Sequence, residues 1–501
     1  MLRHNFVPYE CTMVLVVLIV TWCAVFAVWR WMRPRRPSPP THPNALPLIG
    51  HAHLLVGDAI HFWDFEKSIS NFSLKSGGIT EVRFGPHSAY VITDPDESLI
   101  MSNKCLEKPY FYNFAKEMYN SGLVTASLST WKPHRRLLNP AFNQKVLNTF
   151  LTEYNSQARN SVSLLASEVG NKSFNVHRYM MDNLLKTICH TSLGLKEEDQ
   201  NMIDKDYTLA TEDLFALFIE RFQKIWLHLP YTFNWSALKK KQDKLMKVTK
   251  DIMETVITIF NALATIVYLA MLQFISDKFK PLLDQLLELA DRQDAFTDDE
   301  IKEHLDTIVA AAYDTTATGM TYTLIFLGSH QDMQERIYEE LLTVLGDQDR
   351  DLTKDDLPKL VYLDAVIKES LRLYPPVPIV ARSICSDIQL RNYTLPAGST
   401  CLISVYGINR HPMWGADAEQ FRPERWLDPS TLPDNPNAFS SFSLGKRNCI
   451  GKLYAMMAMK TTLAHVLRKY RVTSDISNVI TKSDIIIKPA ANQQICLELR
   501  T

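Results

Sequence analysis

One cysteine in a glycine-containing turn constrains the fold of this 501-residue chain more than any other feature. The ten residues from Phe442 to Gly451 read FSLGKRNCIG and include Gly445, Arg447 and Cys449. A thiolate in such a turn suits an axial ligand to iron in a flat, anionic ring, where it favours O–O cleavage. The two glycines let the backbone approach the ring and adopt unusual dihedral angles. Arg447 can pair with a ring carboxylate, and Phe442 can pack beside the sulfur and exclude water.

The pattern F-x-x-G-x-R-x-C-x-G resembles the haem-binding signature of the cytochrome P450 family. The resemblance implies haem b, held through its iron by the Cys449 thiolate. The eight cysteines are scattered without a C-x-x-C pair, which argues against a disulfide framework or a structural zinc site. Several of the others are interpreted as small buried hydrophobic residues: Cys105, Cys189, Cys385, Cys401 and Cys496.

Composition fits a globular enzyme. Hydrophobic residues make up 46% of the chain and charged residues 22%, which is enough for a sizeable core. The formal net charge of −1 gives no case for nucleic-acid binding.

The N-terminus is predicted to be a separate membrane anchor. Residues 11–29 carry no charge, which is long enough to span a bilayer, and arginines follow at once. Positive residues stay in the cytosol, so the bulk of the chain should face it. A cleaved signal peptide is the weaker alternative, because the basic cluster follows the apolar run. We therefore expect an anchor over residues 1–30, a basic, proline-rich hinge over 31–50 and a catalytic domain over 51–501.

The periodicity of the catalytic part predicts a mostly α protein with minor β sheets. Residues 79–93 indicate a hairpin, and residues 131–330 are mostly helical in pattern. Strands are expected within 377–405 and 485–499, and a helix should run from just after Cys449 to about residue 469. This order of elements is similar to the cytochrome P450 fold.

Residues 306–327 are uncharged on almost every face and predict a central buried helix. Asp314 and Thr315 in its middle can relay protons as an acid beside a hydroxyl. A threonine that only bonds back to the preceding turn is the alternative interpretation. The run resembles the oxygen-binding helix A-G-x-D-T of the family, with Ala312 in place of glycine. In the related ω-hydroxylases, the position that matches Ala311 is often a glutamate that forms an ester with haem. Alanine cannot form this ester, so we expect haem to be bound non-covalently.

The run KESLR places Glu369 and Arg372 three residues apart on one helical face. In isolation such a pair is usually a weak surface ion pair. The run resembles the family's E-x-x-R helix, whose partner would be Arg425 in FRPERW. This resemblance implies a buried structural core behind the thiolate loop. Loss of Glu369 or Arg372 should then give protein without haem.

Three further residues are predicted to bind the cofactor. Trp131 and Arg135 lie four residues apart and resemble the family's W-x-x-x-R pair, which holds haem propionates. Arg382 matches another propionate-binding arginine, so with Arg447 three cations face two carboxylates. Exposed cations on the cysteine side would suit an acidic reductase, although simple solvation is an equal alternative: Lys132, Arg136, Lys446 and Lys452.

Residues 256–275 do not fit this picture, because they carry no charge and are long enough to cross a membrane. A membrane crossing there would place Trp131 and Arg135 on the opposite side from Cys449, although all three are expected to contact one haem, so a crossing is rejected. Three interpretations of the segment remain: a surface that dips into the membrane, a buried helix, or an error in the coding sequence.

The resemblance implies a microsomal monooxygenase of the clan that contains fatty-acid ω-hydroxylases and many insect enzymes. One atom of O2 would enter an apolar substrate, with electrons from NADPH through a cytochrome reductase or possibly a cytochrome b-type donor. It would lie at the endoplasmic reticulum membrane and face the cytosol. A haem-thiolate isomerase or dehydratase and a non-catalytic haem- or lipid-binding membrane protein are the alternatives.

Overall fold

The structure is a computed structural model of the chain. The structure describes residues 13, 14, 17, 20–25, 37–119, 121–195, 205–252, 254, 280–293, 295–491 and 494–500. Its labelled helices, in chain order, are α1 Ala59–Lys75, α2 Pro95–Lys104, α3 Tyr112–Tyr119, α4 Leu128–Leu138, α5 Gln144–Thr149, α6 Leu151–Leu165, α7 Val176–Ile188, α8 Lys205–Gln223, α9 Pro230–Asn234, α10 Leu282–Gln293, α11 Asp298–Ser329, α12 Gln331–Leu345, α13 Val361–Leu373, α14 Val405–Ile408 and α15 Lys452–Lys469.

Among the described residues, the strands are short and fall into four small sheets. They are β1 Ile79–Phe84, β2 His87–Ile92, β3 Phe174–Asn175, β4 Ile379–Ser383, β5 Ile388–Gln389, β6 Thr394–Leu395, β7 Thr400–Ser404, β8 Tyr470–Thr473, β9 Ile480–Asp484, β10 Ile486–Ala491 and β11 Gln494–Leu499. The predicted class, mostly α with minor β sheets, is confirmed.

Helix α11 forms the centre of the protein. Thr297 and Glu300 cap its start reciprocally, and three acidic residues in the first turn complement the helix dipole. From residue 316 to residue 328 every side chain is buried. Helices α7, α13 and α15 pack against it and share one large hydrophobic core with it. The prediction of a central buried helix is therefore confirmed, and the helix extends further at both ends than expected.

The largest sheet has the strand order β1-β2-β7-β4. Strands β1 and β2 form the predicted hairpin, with Phe84 opposite His87, and β2 runs parallel to β7. The chain before β1 adds to this edge, since His42 N donates to Glu81 O at 2.9 Å and Glu81 N donates to Pro40 O at 2.9 Å. Residues 40–42 of the predicted hinge therefore pack on the sheet.

Two sequence predictions concern segments that the structure describes only in part or not at all. Residues 256–275 lie outside the described residues, as does most of 11–29. Within the described ranges, no helix combines the length and the apolar content that a membrane span needs.

The cysteines correct one expectation. Cys105, Cys189 and Cys401 are buried, as predicted. Cys385 is exposed and Cys496 is partly exposed, so the interpretation as buried residues was wrong for these two. Residue type alone did not show that Cys385 follows the end of β4, where the chain turns at the surface.

Candidate haem-thiolate site

Residues 440–451, here called the cysteine loop, connect a short 3-10 helix to α15. Ser443 and Gly445 both adopt left-handed backbone angles, with φ of 61° and 68°. The Cys449 amide donates to the Phe442 carbonyl at 2.9 Å and closes the loop. Gly451 has an ordinary φ of −84°, so the unusual dihedral angle expected there is not observed.

Gly445 is required for two separate reasons, which predicts a large effect of substitution. Its φ is positive, and a Cβ there would lie 2.8 Å from Ser102 Cβ at the end of α2. Gly445→Ala should therefore lower the free energy of unfolding by about 2–5 kcal/mol, from backbone strain plus overpacking. Gly398→Ala is the matched control, because its φ is +81° but nothing lies within 4 Å of its added Cβ.

Thermal unfolding of both variants measures the difference. We expect the Gly398 variant to lose only the strain contribution of about 1–2 kcal/mol. Equal losses in the two variants would contradict the close packing of the cysteine loop against α2.

Cys449 lies near the end of the cysteine loop and is exposed as a residue, although protein atoms surround its sulfur. Burial of its surroundings raises its pKa, while the Gly451 N–H and the positive charges of Arg135 and Lys452 act in the opposite direction. The N-terminus of α15 follows directly at Lys452, where the helix dipole also favours an anion. A coordinated metal replaces the thiol proton, so these groups would stabilise the sulfur as a metal-bound thiolate.

Arg135 contacts the cysteine loop itself. Its Nη1 donates to the Asn448 carbonyl at 2.8 Å and its Nη2 to Asn448 Oδ1 at 3.0 Å, while Nε donates to Asn139 Oδ1 at 2.8 Å. These bonds tie α4 to the residue before Cys449. The sequence pattern did not indicate this role, and a propionate contact of Arg135 stays a prediction.

Arg447 and Arg382 are buried close to each other. Arg447 Nη2 donates to Ala126 O at 3.1 Å and its guanidinium lies 4.4 Å from the centre of the buried Trp131 ring. Burial and the charge of Arg382 lower the pKa of Arg447 to about 10. Two buried guanidinium groups repel each other, so a nearby anion is needed to stabilise them.

A third cation, Lys108, belongs to the same cluster. Burial, Arg382 and Arg447 all lower its pKa well below the usual lysine value. No motif marked Lys108, which lies in the connection between α2 and α3. Only its position beside the two arginines shows its relevance.

These cations fit the carboxylates of a haem. Among the described residues, Arg447 Nε and Nη1 and Arg382 Nε are buried without a hydrogen-bond partner. Buried donors of this kind are normally satisfied, so an anionic ligand with several acceptor oxygens is expected here. The Cys449 sulfur would hold the iron and the cation cluster of Lys108, Arg382 and Arg447 would hold the propionates.

The central helix presents Ala311 and Thr315 on an accessible face. Ala311 is exposed and Thr315 partly exposed, although Asp314 is fully buried. The Thr315 hydroxyl donates to the Ala311 carbonyl at 2.8 Å, so the bond back to the preceding turn occurs at Thr315. Asp314 forms an ion pair with Lys488, with 2.6 Å between Oδ2 and Nζ. Ala311 offers no carboxylate for an ester with haem.

The predicted structural core lies together behind the cysteine loop. Glu369, Arg372 and Arg425 are each 0% exposed. Glu369 accepts from Arg372 Nε and Nη2 at 2.9 and 2.8 Å, from Arg425 Nε at 2.8 Å and from Trp426 Nε1 at 2.9 Å. Burial opposes the charge on Glu369, but Arg372 and Arg425 hold its pKa below the usual value.

This core is connected to the cysteine loop by Asn409. Arg372 Nη1 donates to Asn409 O at 2.9 Å. Asn409 Oδ1 in turn accepts from Ser440 N at 2.9 Å, and Ser441 Oγ donates to Leu371 O at 2.9 Å. The charged network therefore fixes the first residues of the loop that carries Cys449.

A single presented cysteine, a cation cluster suited to two carboxylates and a central helix with an accessible threonine define a haem-thiolate protein. The family model "Cytochrome P450" matches residues 39–497, and the chain belongs to this family. It is a cytochrome P450 monooxygenase whose haem b is bound through a cysteine thiolate.

The similar proteins are members of cytochrome P450 family 4, which confirms the predicted clan. "Cytochrome P450 4g15" of Drosophila melanogaster is 28% identical over 92% of this chain and 92% of its own length. "Cytochrome P450 4V2" of Homo sapiens is 30% identical, covering 94% of this chain and 91% of the relative. "Cytochrome P450 4c3" of Drosophila melanogaster is 29% identical over 86% and 83% of the two chains.

Proposed function

We propose that this enzyme inserts one oxygen atom from O2 into an apolar substrate, such as a fatty acid, a terpenoid or hormone-like lipid or a xenobiotic. The observation that carries the proposal is the combination of the Cys449 loop with an accessible Thr315 beside the acid Asp314. Electrons would come from NADPH through NADPH-cytochrome reductase, with a cytochrome b-type protein as a second donor. An isomerase or dehydratase has no need for this acid–alcohol pair.

An apolar substrate is supported by a cluster of aromatic rings between α1, α3 and α8. The ring centres of Phe111 and Phe222 are 5.0 Å apart, and those of Phe62 and Phe222 are 6.2 Å apart. Phe114 and Phe218 extend the cluster at 6.4 Å. An aromatic surface binds apolar ligands because their apolar area is buried against it, and it does not select one class of lipid.

A reductase would use the basic surface around the cysteine loop. Four exposed cations surround it: Lys132, Arg136, Lys446 and Lys452. Within the described part of the chain none of them forms an ion pair with an acidic side chain. Charges that are free in this way speed the encounter with an acidic partner.

The proposed location is the endoplasmic reticulum membrane, with the catalytic domain, residues 51–501, in the cytosol. Its support is the uncharged run over residues 11–29 and the arginines that follow it. Residues 1–30 would be the anchor, and a substrate dissolved in the membrane suits the apolar cluster.

In the proposed mechanism, haem supplies the iron centre at which O2 is activated. The Cys449 thiolate would ligate it, and Gly451 N–H and Lys452 would stabilise the sulfur charge. Thr315 would turn its hydroxyl from the Ala311 carbonyl and pass on a proton. Asp314 in its protonated form would replace that proton, which restores the Thr315 hydroxyl, and the Asp314 carboxylate would then take up a proton from water.

Purified protein with reductase and NADPH tests the proposal. Dodecanoic acid, geraniol and 7-ethoxycoumarin serve as probes of three apolar classes. At least one should stimulate NADPH oxidation and give an oxygenated product. Thr315→Ala should lower product per NADPH about tenfold or more, because the relay is lost. Thr316→Ala is the matched control, since Thr316 is 4% exposed and points into the core.

The alternatives give different results. A dehydratase or isomerase rearranges a fatty-acid hydroperoxide without NADPH, and Thr315→Ala leaves that rate unchanged. A non-catalytic binding protein shifts its haem spectrum with a probe but gives no product. Either result would contradict the proposed function.

A further inference from the structure

A cavity lies apart from the cysteine loop, between helix α1, the end of α13, helix α14 and the start of β9. Its volume is about 350 Å³, which is enough for a small organic ligand. The described residues that line it include none of the predicted haem-binding residues. Three aromatic residues, two cations and one exposed aliphatic residue carry the argument: Trp63, Tyr374, Tyr406, Arg410, Lys67 and Ile480.

Arg410 forms the buried polar wall of this cavity and is only 9% exposed. Its Nε donates to Glu419 Oε2 at 2.9 Å, and its Nη2 donates to the Leu373 carbonyl at 2.7 Å. Among the described residues, its Nη1 is buried without a hydrogen-bond partner. Buried guanidinium donors are normally satisfied, so an acceptor is expected inside the cavity.

Two further donors line the same cavity. Burial raises the pKa of Tyr374, whereas the positive charges of Arg410 and Lys67 act in the opposite direction, so its phenol lies near both cations. With its pKa raised overall, this phenol stays protonated at neutral pH and can donate a hydrogen bond. Lys67 reaches the cavity from α1 and is partly exposed. Three donors from three separate segments therefore meet here.

Two carboxylates also line the cavity, and each is already paired with one of its cations. Asp64 lies 2.8 Å from the Lys67 ammonium, and Glu419 accepts from Arg410. Both carboxylates are largely exposed, so water and salt screen their charges. The free N–H of Arg410 is buried, where screening is weak. The inner end of the cavity therefore favours an acceptor that carries negative charge.

The remaining walls are aromatic. The rings of Trp63 and Tyr406 are arranged edge to face with their centres 5.3 Å apart, and the Arg410 guanidinium lies 3.9 Å from the centre of the Tyr406 ring. Tyr374 is held by stacking on Tyr322 of α11, with 4.4 Å between the ring centres. Fixed rings of this kind pack well against a planar apolar group.

We propose that this cavity is a binding site for a small aromatic carboxylate. The carboxylate would accept from Arg410 Nη1, with Tyr374 and Lys67 as further donors, and its ring would pack against the aromatic walls. The proposal goes beyond the proposed function, because it uses none of the residues assigned to the haem or to the acid–alcohol pair. Ordered water is the alternative occupant of the cavity.

Titration calorimetry of the full-length, haem-loaded enzyme with benzoate tests the proposal. 1-Octylimidazole is added first to fill the haem pocket, since its nitrogen ligates iron. We expect one equivalent of benzoate to bind with a dissociation constant of about 1 mM or below. Benzamide has the same ring without the charge and should bind about tenfold more weakly. Absence of saturable benzoate binding would show that the cavity holds only water and would overturn the proposal.

Variants then locate the bound benzoate. Arg410→Lys keeps the charge but removes the Nη1 donor, so the affinity should fall about tenfold. Ile480→Trp changes an exposed residue and does not disturb the buried arginine, yet its larger ring should fill the cavity and abolish binding. An unchanged affinity in these two variants would place benzoate elsewhere and overturn the proposal.

Two lysines of α1 supply the matched comparison. Lys67→Gln removes the partly exposed cation of the cavity and should weaken benzoate binding about threefold. Lys75→Gln changes an exposed lysine in the last turn of the same helix, outside the cavity, and should leave the affinity unchanged. Equal losses in both variants would show that benzoate responds only to the overall charge of the protein, which would also overturn the proposal.

Discussion

Cys449→Ala should abolish the strongly red-shifted Soret band of the reduced, carbon monoxide-bound protein. The sulfur is the proposed iron ligand of the cysteine loop, and the Gly451 amide and Lys452 favour its charged form. No other side chain in the loop can supply a soft anionic ligand to iron. The carbon monoxide difference spectrum, recorded at equal protein concentration, measures the loss.

Cys385→Ala is the matched control for this experiment. Cys385 is exposed like Cys449, yet it lies at the end of β4 and carries no such surroundings. Its substitution should leave the spectrum at parental intensity. A red-shifted band that persists in Cys449→Ala would assign the thiolate to a different cysteine.

Glu369→Ala should destabilise the protein by about 3–5 kcal/mol, because it leaves the buried Arg372 without an anion and Arg425 with only its 3.4 Å contact to Asp417. Arg372 and Arg425 are both 0% exposed and share the Glu369 carboxylate. The cysteine loop begins at residues held by this network through Asn409. The purified variant should therefore contain little or no haem, as measured by the haem-to-protein ratio and the thermal midpoint.

Lys368→Ala on the same helix is the control. The side chains of Lys368 and Asp364, which form an ion pair, are 37% and 23% exposed, so the loss of stability should not exceed about 1 kcal/mol.

Because the pKa of Glu369 is lowered in the folded protein, its contribution to stability is complete above the ordinary glutamate pKa of 4.5. That contribution disappears as the pH falls below 4.5 and through the lowered pKa. A Glu369 variant with full haem and a parental midpoint would contradict the structural role.

Local features of the fold followed from the sequence. The hairpin at Gly85, the central part of the buried helix and the helix after Cys449 depend on neighbouring residues, whose patterns can be read directly. The spacing of Glu369 and Arg372 likewise placed both on one face of α13. The exposure of Cys385 was not predicted correctly. The ordinary backbone angle of Gly451 also differed from the expectation.

The sequence by itself determined the class of fold and predicted the iron ligand and the acid–alcohol pair, because these features depend on short runs of residues. Only the tertiary structure decided that Arg135 binds Asn448, 313 residues away, and that Lys108 joins Arg382 and Arg447. It also decided that Lys488 pairs with Asp314. These contacts join distant segments, so they arise from the way helices and strands pack, and no local spacing encodes them.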